Sequence, residues 1–250
     1  MSGPVLLEAR GLEIHFGGVV AADDVNIEIH EGRNLAIIGP NGAGKTTFLN
    51  ICTGYIKPNV GSVYFKGKEI TQKTPRQITR MGVARAFQIP QLFHGHTALE
   101  NLLISAAARA KRWSPFQHLR DMPERAEMLH LLDLVNCSAI ADRPVNQLPE
   151  GQRKLIDIAV ALALKPRLIL MDEPTSGVAS SEKFGVMDIL TRALAEARVT
   201  AVFVEHDMGI VETYADEVAV WSAGAIRLRG APSAILSHPD VIRDVIGEAV

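Results

Sequence analysis

The sequence has almost no net charge, little cysteine and no long apolar run. Lys and Arg together number 26 against 28 Asp and Glu, so no globally basic surface exists to attract nucleic acid. Two cysteines in 250 residues are typical of a reducing compartment. The apolar run Ile158–Leu164 stops at Lys165, well short of the ~20 residues that a membrane-spanning helix needs. Glu8 and Arg10 interrupt the stretch that a secretory signal keeps apolar, so we expect neither a spanning segment nor a secretory leader.

Internal repeats, low-complexity stretches and Ser/Gly-rich linkers are also missing. A length of 250 residues allows one large α/β domain or two small ones, and 47 % apolar residues are ample for a core. Because nothing in the composition separates two folding units, we interpret residues 1–250 as a single domain.

The pattern of apolar residues predicts an antiparallel β lead-in, an α/β core and a helical middle. Alternation from Val5 to His15 and from Val25 to Ile29 flanks a turn at Gly17–Gly18. Further strands are predicted at Asn34–Ile38, Val63–Phe65, Val83–Phe87, Leu168–Met171, Thr200–Val204, Glu217–Trp221 and Ala225–Arg229. Helices are predicted at Lys45–Cys52, Ala98–Arg112, Glu124–Val135, Gly151–Leu164 and Glu182–Glu196, with a short helical tail. We interpret residues 89–165, approximately, as a helical subdomain inserted in the core.

One segment between a predicted strand and a predicted helix matches the phosphate-binding pattern G-x-x-x-x-G-K-[ST] in full. Its glycines let backbone N–H groups surround a phosphate, and the start of the helix adds positive charge. Lys45 is expected to reach the β/γ-phosphates, Thr46 to bind Mg²⁺, and Thr47 to contact the α-phosphate. The segment consists of Gly39, Pro40, Asn41, Gly42, Ala43, Gly44, Lys45 and Thr46.

A second motif places two adjacent carboxylates at the end of an apolar strand, Leu168–Met171. Side chains alternate along a strand, so Asp172 and Glu173 are expected to point differently and to have different roles. We predict that Asp172 lies on the metal side and that Glu173 polarises the attacking water.

With these motifs in this order, the chain resembles the ATP-binding subunits of ATP-binding-cassette (ABC) transporters from Val5 to Ala249. The resemblance implies a P-loop ATPase core with an antiparallel β subdomain and an inserted helical subdomain, which hydrolyses MgATP. It also implies that Gln88 contacts Mg²⁺ and the attacking water, that His206 bonds the γ-phosphate, and that Phe16 stacks on adenine.

The resemblance has two departures. The family signature Leu-Ser-Gly-Gly-Gln, which contacts ATP held by the opposite subunit, stands here as Leu148, Pro149, Glu150, Gly151 and Gln152. Pro149 provides neither a hydroxyl nor an N–H, although it suits the first turn of a helix. The loop after Glu173 has Ala179 where the family commonly has an aspartate. Both changes leave open how well this chain completes a partner's site.

Within the family, the sequence looks most similar to subunits of branched-chain (hydrophobic) amino acid importers. The segments that carry this similarity are 16–19, 82–88, 97–101, 205–208 and 238–241. Urea or amide importers and lipopolysaccharide-export ATPases share several of them and remain alternatives. A non-transport ABC ATPase and a cassette that binds ATP without useful turnover are further alternatives.

The resemblance also implies an assembly. We expect a head-to-tail pair with a second ATPase subunit, a heterodimer because of Pro149 and Glu150, bound to transmembrane permease subunits at the cytoplasmic face of the plasma (inner) membrane. A solute-binding protein would act indirectly, and no nucleic acid is expected. The sequence leaves the transported solute, the choice between a homodimer and a heterodimer, and the turnover rate open.

Overall fold

Two β-sheets organise the chain, as seen in a computed structural model that describes residues 3–111 and 118–247. Arg112 and Ala249, which end a predicted helix and the family resemblance, lie outside those ranges. The strands are β1 (Val5–Phe16), β2 (Val19–His30), β3 (Leu35–Ile38), β4 (Val60–Phe65), β5 (Lys68–Glu69), β6 (Val83–Ala86), β7 (Leu168–Asp172), β8 (Thr200–Val204), β9 (Glu217–Ser222) and β10 (Ala225–Gly230).

The helices lie mostly between the strands of the larger sheet and in the middle of the chain. The α-helices are α1 (Lys45–Cys52), α2 (Pro75–Met81), α3 (Ala98–Ala110), α4 (Arg125–Leu134), α5 (Glu150–Ala163), α6 (Lys183–Ala197), α7 (Met208–Tyr214), α8 (Pro232–Leu236) and α9 (Pro239–Val241). Shorter 3₁₀ turns occur at Leu119–Asp121, Ser138–Ile140 and Val145–Gln147, and a π-helical turn occurs at Ile242–Ile246.

The smaller sheet has the order β2-β1-β4-β5 and is antiparallel throughout. The larger sheet has the order β10-β9-β3-β8-β7-β6, in which only β10 runs antiparallel to its neighbour. Parallel strands end at the same edge, so the segments that follow β3, β6, β7 and β8 meet there. The predicted fold class, a P-loop α/β core with an antiparallel β subdomain and helices, is confirmed.

The larger sheet separates two apolar cores. Along β7, Leu168 and Leu170 face the core shared with α1 and the smaller sheet. Ile169 and Met171 face the core shared with α3, α4 and α5. Strands buried on both faces read as continuous apolar runs, which explains why these segments are so recognisable in the sequence.

Most predicted elements are confirmed to within a few residues, and α1 and β8 have the predicted ends. Sequence reasoning missed β5, α2 and α7. The helix predicted at Gly151–Leu164 is α5, which begins one residue earlier, at Glu150. Pro149, which the sequence suggested for the first turn, is instead the N-cap, with the extended ψ of 156° that an N-cap adopts. Across residues 3–111 and 118–247, none of the helices combines the length and the apolar composition that crossing a bilayer requires.

Candidate active site

The glycine-rich loop lies between β3 and α1, tightly packed against both sheets. A Cβ atom on Gly39 would lie 1.9 Å from the carbonyl oxygen of Trp221, on β9. A Cβ atom on Gly44 would lie 1.9 Å from the carbonyl oxygen of Ala21, on β2. Both glycines also have positive φ angles, 148° and 107°. Glycine is therefore required at both positions, and the loop is fixed directly before the N-terminus of α1.

Lys45 is buried, and its ammonium group lies over this loop. Nζ donates hydrogen bonds to the carbonyl oxygens of Gly39 at 2.5 Å and Pro40 at 2.8 Å. Burial lowers the pKa of Lys45, while the charges of Glu173 and Asp172 raise it. The ammonium thus lies where a phosphate surrounded by the loop would meet it.

Asp172 ends β7 and is almost fully buried. Its Oδ1 accepts a hydrogen bond from the Thr46 hydroxyl at 3.3 Å, and its Oδ2 forms an ion pair with Arg85 at 3.1 Å. The Arg85 guanidinium also donates to the side chains of Asn50 and Thr53. Burial lowers the pKa of Arg85, and the neighbouring Asp172 charge opposes that shift. This arrangement brings together Thr46 and Asp172, the two residues that the sequence analysis places at the metal.

Glu173 leaves the strand in the left-handed backbone region, at a φ of 49°. Its Oε2 accepts a hydrogen bond from the Gln88 side chain at 2.8 Å, and its Oε1 lies 3.3 Å from His206 Nε2. The two adjacent carboxylates therefore point to different partners. Three side chains that are 33 to 118 positions apart in the sequence converge on one point.

The buried Glu205 links the two segments that carry Glu173 and His206, and sequence reasoning missed it. Its buried carboxylate accepts hydrogen bonds from the backbone N–H and hydroxyl of Thr175, at 3.0 and 2.7 Å, and from the N–H of His206, at 3.2 Å. It thereby ties the segment after Glu173 to the segment that carries His206. The only sequence signal is an acidic residue at the end of a buried strand.

Phe16 lies at the end of β1 with 49 % of its surface exposed. Its exposure excludes a place in the apolar core. The hairpin that carries it runs into Ala21, which packs against Gly44. Thr47, in the first turn of α1, is half-buried. Neither side chain makes a contact that assigns it a role.

The segment that replaces the family signature forms the start of α5. Leu148 is buried, whereas Pro149 and Glu150 are exposed. A Cβ atom on Gly177 would lie 2.9 Å from the Glu150 carboxyl carbon, so the Glu150 side chain packs against the loop after Glu173. Gly151 packs near Val178 of the same loop, and Gln152 is half-buried behind it. The acidic side chain and the loop that ends in Ala179 are thus in direct contact.

The donor set fits a hard divalent cation. Thr46 and Asp172 offer oxygen atoms side by side, and Gln88, whose Nε2 bonds to the adjacent Glu173, also carries an amide oxygen. Mg²⁺ in nucleotide sites keeps several waters and phosphate oxygens and needs only one or two protein ligands. The described residues contain no group of three His, Cys, Asp or Glu side chains placed to hold a metal by themselves.

The sequence is similar to known transport proteins over its whole length. Residues 22–176 match the family described as ABC transporter. The chain is 37 % identical, over the full length of both chains, to the high-affinity branched-chain amino acid transport ATP-binding protein BraF of Pseudomonas aeruginosa. It is 34 % identical, again over the full length of both, to the corresponding protein LivG of Escherichia coli K12.

Solved structures also resemble this fold over most of the chain. The ADP conformation of MJ1267, an ATP-binding cassette of an ABC transporter, matches with a TM-score of 0.84 and 33 % identity, covering 98 % of this chain and 99 % of that one. A dimeric post-hydrolysis state of the ATP-binding cassette MJ0796, bound to ADP and Pi, matches with a TM-score of 0.76 and 26 % identity, covering 91 % and 99 %.

Proposed function

Because the chain belongs to the ABC transporter family of P-loop ATPases, we propose that it hydrolyses MgATP to power the import of branched-chain or other hydrophobic amino acids. One observation carries the catalytic part: Gln88 and His206 both contact the Glu173 carboxylate, beside Asp172 and Thr46. A carboxylate held between an amide and an imidazole at the end of a P-loop sheet is suited to orient and polarise a water.

The nucleotide would lie along the loop from Gly39 to Thr47, with its base against the exposed face of Phe16. The Lys45 ammonium and the N-terminus of α1 supply positive charge for the β- and γ-phosphates. No acidic residue occurs in the first turn of α1, so the helix itself places no anion at its N-terminus. Residues 39–47 thus provide binding and charge stabilisation, which is most of what phosphoryl transfer requires.

Thr46, Asp172 and Gln88 would hold Mg²⁺. The ion supplies neutralisation of the phosphate oxygens when it is bound. Glu173 accepts a hydrogen bond from the attacking water and polarises it, and His206 donates to the γ-phosphate and keeps Glu173 oriented. The ion pair with Arg85 fixes the Asp172 carboxylate and thus its orientation towards Thr46.

A permease subunit is the partner that fits the surface next to Gln88. Tyr55, Ile89 and Phe93 are large apolar side chains with 55, 73 and 56 % of their surfaces exposed. The Tyr55 ring packs edge-on against Phe87, which directly precedes Gln88. Burial of these side chains against a membrane subunit at the cytoplasmic face would place the interface with the permease beside the catalytic centre. Changes in the permease during transport would then act close to Gln88.

A second ATPase subunit would pair head-to-tail with this chain. Its signature would complete the site built from Lys45, Glu173 and His206, whereas Pro149 and Glu150 would serve the partner's nucleotide. The missing hydroxyl and N–H at Pro149 favour a different chain as partner, one with a fuller signature. The two sites of such a heterodimer would be unequal.

The solute follows from the relatives, since the named proteins at 34 to 37 % identity transport branched-chain amino acids. The test is ATP-driven uptake into proteoliposomes that contain this chain, its second ATPase subunit and its permease subunits, with the cognate solute-binding protein added. We expect accumulation of labelled leucine, isoleucine or valine. Uptake of urea or amides instead, or ATP turnover without uptake of any of these, would contradict the assigned solute.

A further inference from the structure

Helix α5 holds the catalytic centre at two points that lie one turn apart. Lys154 Nζ donates a hydrogen bond to the backbone carbonyl of Glu173 at 2.8 Å. The Asp157 carboxylate accepts hydrogen bonds from the backbone N–H groups of Phe87 at 3.3 Å and Gln91 at 3.1 Å. Residues three apart share a face of a helix, so one face of α5 contacts both the end of β7 and the loop that carries Gln88.

Both side chains are nearly inaccessible to water, Lys154 at 3 % and Asp157 at 6 % exposure. Burial raises the pKa of Asp157 to about 6, against the opposing effect of the two amides and Lys154. Burial also lowers the pKa of Lys154. Charged groups are rarely kept in such places unless their contacts offset the loss of solvation. The two side chains also line a cavity of about 10 Å³ together with Asp172.

The contacts hold the backbone on both sides of Gln88 and behind Glu173. Phe87 immediately precedes Gln88, and Gln91 follows three residues later, so Asp157 fixes the start and the turn of that loop. Glu173 has a left-handed backbone, and Lys154 holds the carbonyl of that same residue. The N-terminus of α5 is the signature segment, at Pro149 and Glu150.

We propose that Lys154 and Asp157 are positioning residues through which α5 sets Gln88 and Glu173. The inference rests on the proposed function, because it concerns hydrolysis at the site built around Glu173. The positioning depends on helix α5 and on three hydrogen bonds between its side chains and the backbone, one at Lys154 and two at Asp157.

The first test is a double-mutant cycle between Asp157→Asn and Gln88→Ala in the reconstituted transporter. We expect Asp157→Asn to lower the kcat for ATP about tenfold, since small misplacements of catalytic groups have effects of that size or larger, and to change KM less than twofold. In the Gln88→Ala background, Asp157→Asn should lower kcat by less than twofold, because its effect acts through Gln88. The proposal would be overturned if Asp157→Asn lowered kcat by the same factor with and without Gln88→Ala, or if it left kcat unchanged.

Lys154 supplies the second test. Lys154→Met removes the bond to the Glu173 carbonyl and should lower kcat, whereas Lys154→Arg retains a donor and should restore most of it. Asp188→Asn is the matched control for Asp157→Asn, because Asp188 accepts a hydrogen bond from Tyr214 outside the ATP site and should leave kcat unchanged. If Lys154→Arg and Lys154→Met behave alike, Lys154 does not act through that carbonyl.

Hydrogen exchange on the full-length chain follows the same bonds independently of turnover. The amides of Phe87 and Gln91 should exchange faster in Asp157→Asn than in the parent, while the thermal midpoint shifts little. Unchanged exchange at both amides would overturn the proposal. A parent transporter without ATP turnover would refute the proposed function instead, so the two failures are distinguishable.

Discussion

Arg85 is the residue whose loss should most affect the metal-side carboxylate. The side chains of Arg85 and Asp172 are 6 and 4 % exposed, and their charged groups lie 3.1 Å apart. Removing one partner of such a pair leaves the other charge buried and uncompensated. We expect Arg85→Met to lower the free energy of unfolding by about 3–5 kcal/mol, measured by denaturant unfolding at pH 7.

The double variant Arg85→Met/Asp172→Asn is the control. It removes the unpaired charge, so its loss of stability should be smaller than the sum of the two single losses. Strict additivity, or a loss below about 1 kcal/mol in Arg85→Met, would show that the ion pair does not organise this corner of the site.

Asp157 should give stability a distinctive pH dependence. Its folded pKa, about 6, lies above its ordinary value of 3.8, so the folded state binds the proton more tightly than the unfolded chain. The stabilisation of the folded state that results from this raised pKa is therefore fully present below about pH 4 and is lost as pH rises through about 6. Relative to Asp157→Asn, the parent should lose on the order of 2–3 kcal/mol between pH 4 and pH 7. A pH-independent difference between the two unfolding curves would contradict the raised pKa.

At the scale of elements, the start of α5 determines what this chain offers to its partner. Pro149 caps the helix without a hydroxyl, and the Glu150 carboxylate leans on Gly177. A lost bond to a charged group typically costs about 1.5–3 kcal/mol, which corresponds to roughly ten- to a hundredfold in affinity or rate.

Pro149→Ser combined with Glu150→Gly should therefore raise turnover at the partner's site. The measurement uses a transporter in which this chain also carries Glu173→Gln, so that hydrolysis comes from the partner's Walker residues alone. We expect turnover at the partner's site to increase by roughly tenfold or more. An unchanged rate would show that Gly151 and neighbouring groups already compensate for Pro149.

The elements near the nucleotide could be predicted because their signals are local. An apolar strand followed by the glycine-rich loop sets β3 and α1, and β7 is a continuous apolar run. Helix α2 also has a local signal, since Thr74 and Gln77 form a capping box on either side of Pro75, the first helical residue. Helix α7 begins with Asp207 as its N-cap, an equally readable signal.

The residues that hold the site together could not be predicted in the same way. Asp157 lies 66 and 70 positions from the amides that it binds, and Arg85 lies 87 positions from Asp172. Arg85 lies in the apolar strand β6, and Asp157 lies between Ile156 and Ile158 in α5. A charged residue among apolar neighbours signals only that some partner must exist. The partner becomes known only when the parallel strands are placed side by side.

For the whole molecule, asymmetry between two ATP sites is the main expectation. The site with Lys45, Glu173 and His206 needs only the partner's signature, whereas the opposite site depends on Pro149 and Glu150. Replacing the catalytic glutamate in one subunit at a time should therefore reduce turnover more when Glu173 is replaced than when the partner's glutamate is replaced. Equal losses, or full activity of this chain as a homodimer, would contradict the heterodimer.

The most direct test of the account is the turnover of Glu173→Gln in the reconstituted transporter, with MgATP binding measured in parallel. The variant keeps the size of the side chain and removes the group that polarises the water. We predict that binding stays within a few-fold of the parent, while turnover at this chain's site falls about 10² or more. Hydrolysis at the parental rate would contradict the claim that Glu173, held by Gln88 and His206, is the catalytic residue.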